Sequence, residues 1–212
     1  DMHPDYLSTQ FAKENASQPA NSDAVGHAKS ARYISVQHHV AHVLSCMAEN
    51  ELEPPVLGVS WDGTGFGLDG TVWGGEFFVV GASGWKRVAH LRTFRLPGGA
   101  QAVKEPRRSA LGMLHAIFGE ESFELNELDT IRAFSRAELK NVKTMLARGI
   151  NAPITSSAGR LFDVVASLVG LRQRVRFEGQ AAMEIEYVAQ KVETQCIYDF
   201  PLTEAGSSST SV

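Results

Sequence analysis

The sharpest chemical feature of this sequence is the run His38-His-Val-Ala-His42. On a helix, positions i and i+4 share a face with their Cβ atoms ~5–6 Å apart. Two imidazoles so placed can hold one divalent metal and leave positions open for other ligands and a substrate. The spacing equals that of metalloprotease helices, but those carry Glu after the first His, and His39 stands there instead. The protease reading therefore lacks its general base. Cys46 falls on the same helical face but ~12 Å along the axis from His38, too far for all three to share an ion. The plainer explanation is a helix with polar, partly buried histidines.

A second feature is Asp62-Gly-Thr-Gly-Phe-Gly67. Glycines there let backbone approach a ligand, and consecutive N–H groups can cradle a phosphate. Asp62 can hold a metal ion or a hydroxyl. A glycine-rich hairpin connection explains the same residues, and no Gly-Lys-Ser/Thr follows to make a phosphate-binding loop of the Walker type. Lys104-Glu-Pro-Arg-Arg108 sets three cations at a helix start, where the helix dipole disfavours them unless an anion binds. A solvated basic turn is the commoner reason. Asp163 interrupts an otherwise apolar helix, as a ribose-binding carboxylate or a solvent-facing residue. Glu178-Gly179 opens a further helix, where Gly179 either admits a ligand or caps.

The elements that must position these residues follow from periodicity and breakers. Residues 1–9 read as extended and 14–31 as a polar loop, followed by a short strand over 33–36. His38 to Asn50 reads as a helix with Val40, Val43, Leu44 and Met47 on its apolar side. Val56 to Trp61 and Thr71 to Gly81 read as strands of a hairpin joined by the glycine-rich stretch, with a third strand over 88–96. Helices follow: one from Pro106 with Ala110, Leu111, Leu114 and Ile117 inward, one opened by the capping-box pair Ser135 and Glu138 and closed by Gly149, one over 157–169 with Leu161, Val165 and Leu168 inward, and one over 179–194. The tail from Ala205 is low-complexity. Strand hairpins followed by helices make the fold class α/β or α+β.

Composition bounds the rest. The chain has 212 residues, 43% hydrophobic, enough to bury a core and too apolar for disorder. A net charge of −4 argues against nucleic-acid binding. No apolar run reaches the ~18–20 residues of a membrane span. Cys46 and Cys196 make no disulfide framework, so a cytoplasmic setting is expected. Position 1 is Asp, consistent with a piece of a longer protein.

Eight segments, in order, closely resemble the C-terminal region of the HypF family of carbamoyltransferases, which serve nickel–iron hydrogenase maturation. They are Asp1-Met-His-Pro-Asp-Tyr-Leu-Ser-Thr9, Val36-Gln-His-His-Val-Ala-His42, Asp62-Gly-Thr-Gly65, Trp73-Gly-Gly-Glu76, Leu96-Pro-Gly-Gly99, Lys104-Glu-Pro106, Ser156-Ser-Ala-Gly-Arg-Leu-Phe-Asp163 and Glu178-Gly-Gln-Ala-Ala-Met-Glu184. The resemblance runs to about residue 190. It implies the actin/sugar-kinase/Hsp70 fold with ribonuclease-H-like lobes, here the end of the first lobe (1–54) and part of the second with inserted helices (55–200), then a flexible tail (201–212). It implies iron or zinc on His38 and His42. It implies contact of Asp62, Gly63, Thr64 and Gly65 with the phosphate and carbamoyl end of carbamoyl-adenylate, and of Asp163 and Gly179 with its nucleoside. The chemistry would rest on Asp62, His38 and His42. The implied reaction makes carbamoyl-adenylate from carbamoyl phosphate and ATP in a neighbouring domain. The carbamoyl group then passes to the C-terminal cysteine of a HypE-type partner. The nucleophile is the partner's, so no Ser/His/Asp or Cys/His pair is expected. The family's third metal ligand, an Asp in an Asn-Asp-Gly-Gly stretch, has no match before Val212. Competing expectations are a small-molecule O-carbamoyltransferase, a tRNA-modifying transferase (whose loop would read Ser-Gly-Gly-His-Thr), and an inert protein-interaction piece.

Overall fold

The computed structural model describes residues 7–16 and 34–204. Its elements are α1 (Leu7–Ala16), α2 (His38–Glu49), β1 (Val56–Phe66), β2 (Val72–Gly81), β3 (Gly84–His90), β4 (Phe94–Arg95), α3 (Ala100–Lys104), α4 (Pro106–Phe118), α5 (Asp129–Arg132), α6 (Arg136–Arg148), β5 (Ile154–Thr155), α7 (Ala158–Leu168) and α8 (Gln180–Ala189). A 3-10 turn, Gly119–Glu124, follows α4. The expected mixed α/β architecture is what forms. β1, β2 and β3 make an antiparallel meander, and β5 extends β2 in parallel and pairs β4 antiparallel.

α2 lies against the meander. Val40, Val43 and Met47 pack with Trp73, Phe78 and Val80. Burying each such side chain is worth ~1.5–3 kcal/mol, so this apolar stripe is what anchors the helix that carries the histidines. Leu44, expected on the same side, is 41% exposed, just outside the stripe. The helical layer has its own core of Leu111, Leu114, Ile131, Phe134, Val142 and Leu146. A third cluster, with Phe94, Ala110 and Val164, joins that layer to the sheet.

Several boundaries differ from expectation. Leu7–Thr9 and 14–16 are helical, within α1. Ile34 to Gln37 form no strand: they have no strand partner, and Gln37 is extended because it caps α2. The glycine-rich stretch is not the hairpin connection. β1 continues through it to Phe66, and the turn lies at 67–71, closed by Gly67 N–H donating to Thr71 O at 2.9 Å. The third strand is split into β3 and β4, and a short α3 precedes Pro106. Ser135 and Glu138 form the expected capping box, and Gly149 ends α6 in the left-handed region. α7 buries a different face: Asp163, Val164 and Ser167 turn inward, Val164 into the cluster with Ala110 of α4 and Ser167 onto Thr130, whereas Leu161 and Val165 are exposed and Leu168 is half-buried. Ile117 is also exposed. The last helix ends at Ala189, not 194. Residues 201–204 have no regular structure, and the rest of the tail lies outside the described residues, as do 1–6 and most of the polar loop.

Candidate metal centre and adjoining ligand cleft

The centre is built where α2 crosses the end of β1. Gln37 starts α2: its Oε1 accepts from Val40 N–H at 3.0 Å, so the helix begins at His38 and turns His38 and His42 outward toward β1. On β1 the register slips. Trp61 pairs Gly75 and Gly65 pairs Trp73, so Asp62, Gly63 and Thr64 together oppose Gly74. Such a bulge bends a strand and re-aims its side chains. Here it throws the Asp62 carboxylate at α2.

Asp62 Oδ2 lies 2.8 Å from His38 Nε2 and 3.9 Å from His42 Nε2. The two imidazole Nε2 atoms are 3.2 Å apart. The ligand atoms of His38, His42 and Asp62 all fall within 4.8 Å of one another. Two imidazole nitrogens and one carboxylate oxygen converging this closely are a donor set for a borderline divalent ion. Asp62 is thus a third ligand candidate, contributed by the bulge, where the sequence resemblance implied one from further downstream. Burial raises the Asp62 carboxyl, but the Gly63 N–H and His38 together outweigh it and hold the carboxyl below its usual range, ionised and ready to ligate. The Gly63 N–H is therefore committed to Asp62 Oδ1, at 2.6 Å. His39 faces the interior. It is fully buried, and burial, helped by His38, holds its pKa down at about 4, so it is neutral. Gly65 is the floor of the site. A Cβ there would sit 2.3 Å from His39 Cε1 and 2.8 Å from His38 Cδ2. Cys46 is exposed and takes no part.

The N-terminus of α7 abuts the other side of the bulge. Ser157, its cap, donates to Gly63 O at 2.7 Å and reaches Asp62 O at 3.0 Å. A Cβ on Gly159 would meet Gly63 Cα at 2.7 Å, so backbone touches backbone. This brings Arg160 and Glu178, the neighbours of Asp163 and Gly179, against the bulge: a Cβ on Gly63 would meet Glu178 Oε1 at 2.9 Å and Arg160 Nη2 at 3.7 Å. Arg160 is buried, with Nη1 2.9 Å from Asp163 Oδ2 and Nη2 3.8 Å from Glu178 Oε1. The Arg160–Asp163 contact is poorly aligned, and Arg160 Nε and Nη1 and Asp163 Oδ2 have no hydrogen-bond partner. Buried polar atoms left open beside the glycine bulge are what a polar ligand would fill. Gly179 opens α8 at φ 83°, with open space where a side chain would go. Thr64 is exposed at the bulge's outer edge.

Burial raises the Asp163 carboxyl to about 6, Arg160 opposing and Glu178 assisting. A carboxyl whose folded pKa exceeds its unfolded value, ~3.9, stabilises the fold fully below that value, and the contribution is lost as pH rises through about 6. The shift corresponds to ~3 kcal/mol. Asp163→Asn is expected to abolish this slope and raise stability at pH 8 relative to the unmodified chain. Urea unfolding of both at pH 4 and pH 8 checks it, and equal pH dependence in the two would refute the buried-acid assignment.

Sequence reasoning missed Arg160 and Ser157, and it misread the basic turn. That turn is not solvated: Arg107 is fully buried, paired with Glu105 and with Glu138 at 2.7 Å each, and Arg108 pairs Glu105 at 2.8 Å. Only Lys104 of the three neighbouring cations is exposed. No helix among the described residues is long and apolar enough to cross a membrane.

Known proteins resemble this chain in sequence and in fold. Residues 1–49 match the family described as the HypF Kae1-like domain, and residues 58–211 match the carbamoyltransferase Kae1-like domain, second subdomain. The carbamoyltransferase HypF of Synechocystis sp. is 41% identical over 96% of this chain and 26% of its own length. A crystal structure of full-length HypF in a phosphate- and nucleotide-bound form superposes with TM-score 0.79 at 40% identity, covering 97% of this chain and 24% of that one. T. kodakarensis HypF gives TM-score 0.82 at 33% identity, over 95% of this chain and 26% of that one. The chain spans about a quarter of the length of these relatives. The two conserved-fold matches agree with the α/β, ribonuclease-H-like architecture expected from sequence. On these matches the chain belongs to the HypF carbamoyltransferase family, as part of its Kae1-like domain.

Proposed function

We propose that this chain is the part of a HypF-type enzyme that receives carbamoyl-adenylate and hands its carbamoyl group to a cysteine thiolate at the C-terminus of a HypE-type partner, for the maturation of nickel–iron hydrogenase. The observation that carries the reading is the convergence of His38, His42 and Asp62 close to buried polar atoms of Arg160 and Asp163 that lack hydrogen-bond partners. Carbamoyl-adenylate itself comes from carbamoyl phosphate and ATP elsewhere in the longer protein. The description of one relative as phosphate- and nucleotide-bound supports a nucleotide-like substrate here. Residues 1–54 would close the first lobe and 55–200 form the nucleotide-holding part of the second, with 201–212 as a tail.

His38, His42 and Asp62 would hold iron or zinc, which when bound supplies Lewis-acid polarisation of a carbonyl or phosphate oxygen. The remaining roles belong to the chain. Asp163, with its unfilled oxygen, accepts from the ribose hydroxyls, and Gly179 lets the nucleoside lie close. The bulge at Gly63, Thr64 and Gly65 keeps the acyl-phosphate end beside Asp62, and the bare Gly65 makes room for His39 and His38 where a side chain would clash. The acceptor sulfur then forms its bond to the carbamoyl carbon as the bond from that carbon to the phosphate oxygen breaks, and AMP leaves with the electron pair. A thiolate supplied by the partner explains why the cleft needs no nucleophile of its own.

The test is metal analysis of the purified chain with calorimetric titration by ATP or AMP. One equivalent of iron or zinc and a saturable heat are expected. Neither metal nor heat would leave an inert interaction module as the better description.

A further inference from the structure

His39 stands between the two outward-facing histidines yet is fully buried. Its Nδ1 lies 3.2 Å from Gln37 Nε2. The orientation of that amide is fixed by two other bonds. Gln37 Oε1 accepts from Val40 N–H at 3.0 Å, and Gln37 Nε2 donates to Phe66 O at 2.9 Å. Exchanging oxygen and nitrogen would set donor against donor at the first and acceptor against acceptor at the second. The amide nitrogen has one hydrogen left, and it faces His39 Nδ1. That ring nitrogen must then be the acceptor, and the hydrogen of the neutral imidazole sits on Nε2.

His39 Nε2 has no hydrogen-bond partner, and the nearest acid is Asp62, whose Oδ2 is 3.9 Å away. The other carboxylate oxygen is anchored by Gly63 N–H. Trp73, at 6.0 Å between ring centroids, and the bare Cα of Gly65 hold the imidazole edge-on to Asp62. We propose that His39 is a positioning residue: Gln37 fixes it as the Nε2–H tautomer, and that N–H orients Asp62 Oδ2 toward the metal centre. A carboxylate oxygen can take two partners. His39, at 3.9 Å, acts on Oδ2 as a long electrostatic contact, and the close partner of Oδ2 is His38 Nε2 at 2.8 Å, whose place a cation held by His38 and His42 would take. The inference rests on the metal-centre reading given above.

The test uses the full chain, unmodified and as His39→Gln, His39→Asn and His39→Met. Ring-nitrogen NMR on the metal-free chain reads the tautomer, thermal unfolding reads folding, and competition with a chromophoric chelator reads Zn2+ affinity. The expected tautomer carries hydrogen on Nε2 and none on Nδ1. A glutamine amide can reach where Nε2 stood, whereas asparagine reaches only the Nδ1 position. His39→Gln should therefore stay within about 3-fold of the unmodified chain, while His39→Asn and His39→Met bind Zn2+ ~10–100-fold more weakly, the usual cost of losing a group that orients a ligand. A filler of the core would show no such preference for Gln over Asn. Hydrogen on Nδ1, or Gln no better than Met in equally folded variants, overturns the inference. The expected tautomer in an unmodified chain that takes up no Zn2+ would instead overturn the metal-centre reading and uphold the placement of the hydrogen.

Discussion

Replacing His38 and His42 together by alanine is expected to strip the chain of bound iron or zinc while α2 stays folded. The two imidazoles provide two of the three convergent donors, and a lone carboxylate at a half-exposed site cannot keep a transition ion from water. Affinity should fall by well over ~100-fold, more than losing an orienting group costs. The helix does not depend on either residue. Its hold on the sheet is Val40, Val43 and Met47, its cap is Gln37, and both histidines are partly exposed, at 32% and 55% of the side chain. Alanine is the better helix former. Metal analysis with far-UV circular dichroism checks both halves. Retained metal in a folded double variant would remove these imidazoles from the centre.

How far the site could be read from sequence depends on the range of the physics involved. The i, i+4 histidines were legible because helical geometry is local, and α2 begins at the residue periodicity indicates. Asp62 was recognisable as a functional carboxylate, but its reach to α2 was not. That depends on a bulge opposite Gly74, and alternation patterns carry no record of a register slip. Distance along the chain hid the rest. Arg107 reads as a solvated cation until Glu138, 31 residues on, is brought against it. Ser157 caps α7, and nothing nearby in the sequence announces its bonds to Asp62 and Gly63, 95 and 94 residues away. The apolar face of α7 was misjudged for a related reason. Its buried side carries Arg160 and Asp163 near the site and Ser167 bonded to Thr130 and Gln173, and these buried polar residues break the rule that apolar means inward. β4, β5 and α3, of two, two and five residues, are too short for any periodicity to reveal.

Glu76 supports both halves of the site, and Glu76→Ala is expected to destabilise the chain by ~3–5 kcal/mol, the usual cost of breaking one side of a buried ion pair. The side chain has no exposed surface. Oε1 accepts from the backbone N–H groups of Gly74 and Gly75, at 3.0 and 3.1 Å, and from the Ser156 hydroxyl. Oε2 meets Arg87 Nε at 2.6 Å, and the same guanidinium lies 4.1 Å over the Trp73 ring and pairs Asp69 at 2.9 Å. One carboxylate thus ties Ser156, at the entrance of α7, to the strand segment that faces the Asp62 bulge. Alanine would leave three donors and a largely buried guanidinium without it. Against a total stability of ~5–15 kcal/mol this is a large fraction. Glu76→Gln should cost less, because the amide oxygen can keep the Gly74, Gly75 and Ser156 contacts and only the Arg87 side meets a donor. Adding Arg87→Ala to Glu76→Ala should recover part of the loss, since it removes a largely buried charge left with Asp69 as its acidic partner. Urea unfolding of the four proteins measures the series. A Glu76→Ala cost below ~1 kcal/mol, typical of surface positions, would mean that the Glu76 carboxylate is not what ties β2 to the entrance of α7. The metal centre should weaken with the same variant, because Asp62 keeps its aim only while Gly74 and Ser157 press on the bulge from both sides.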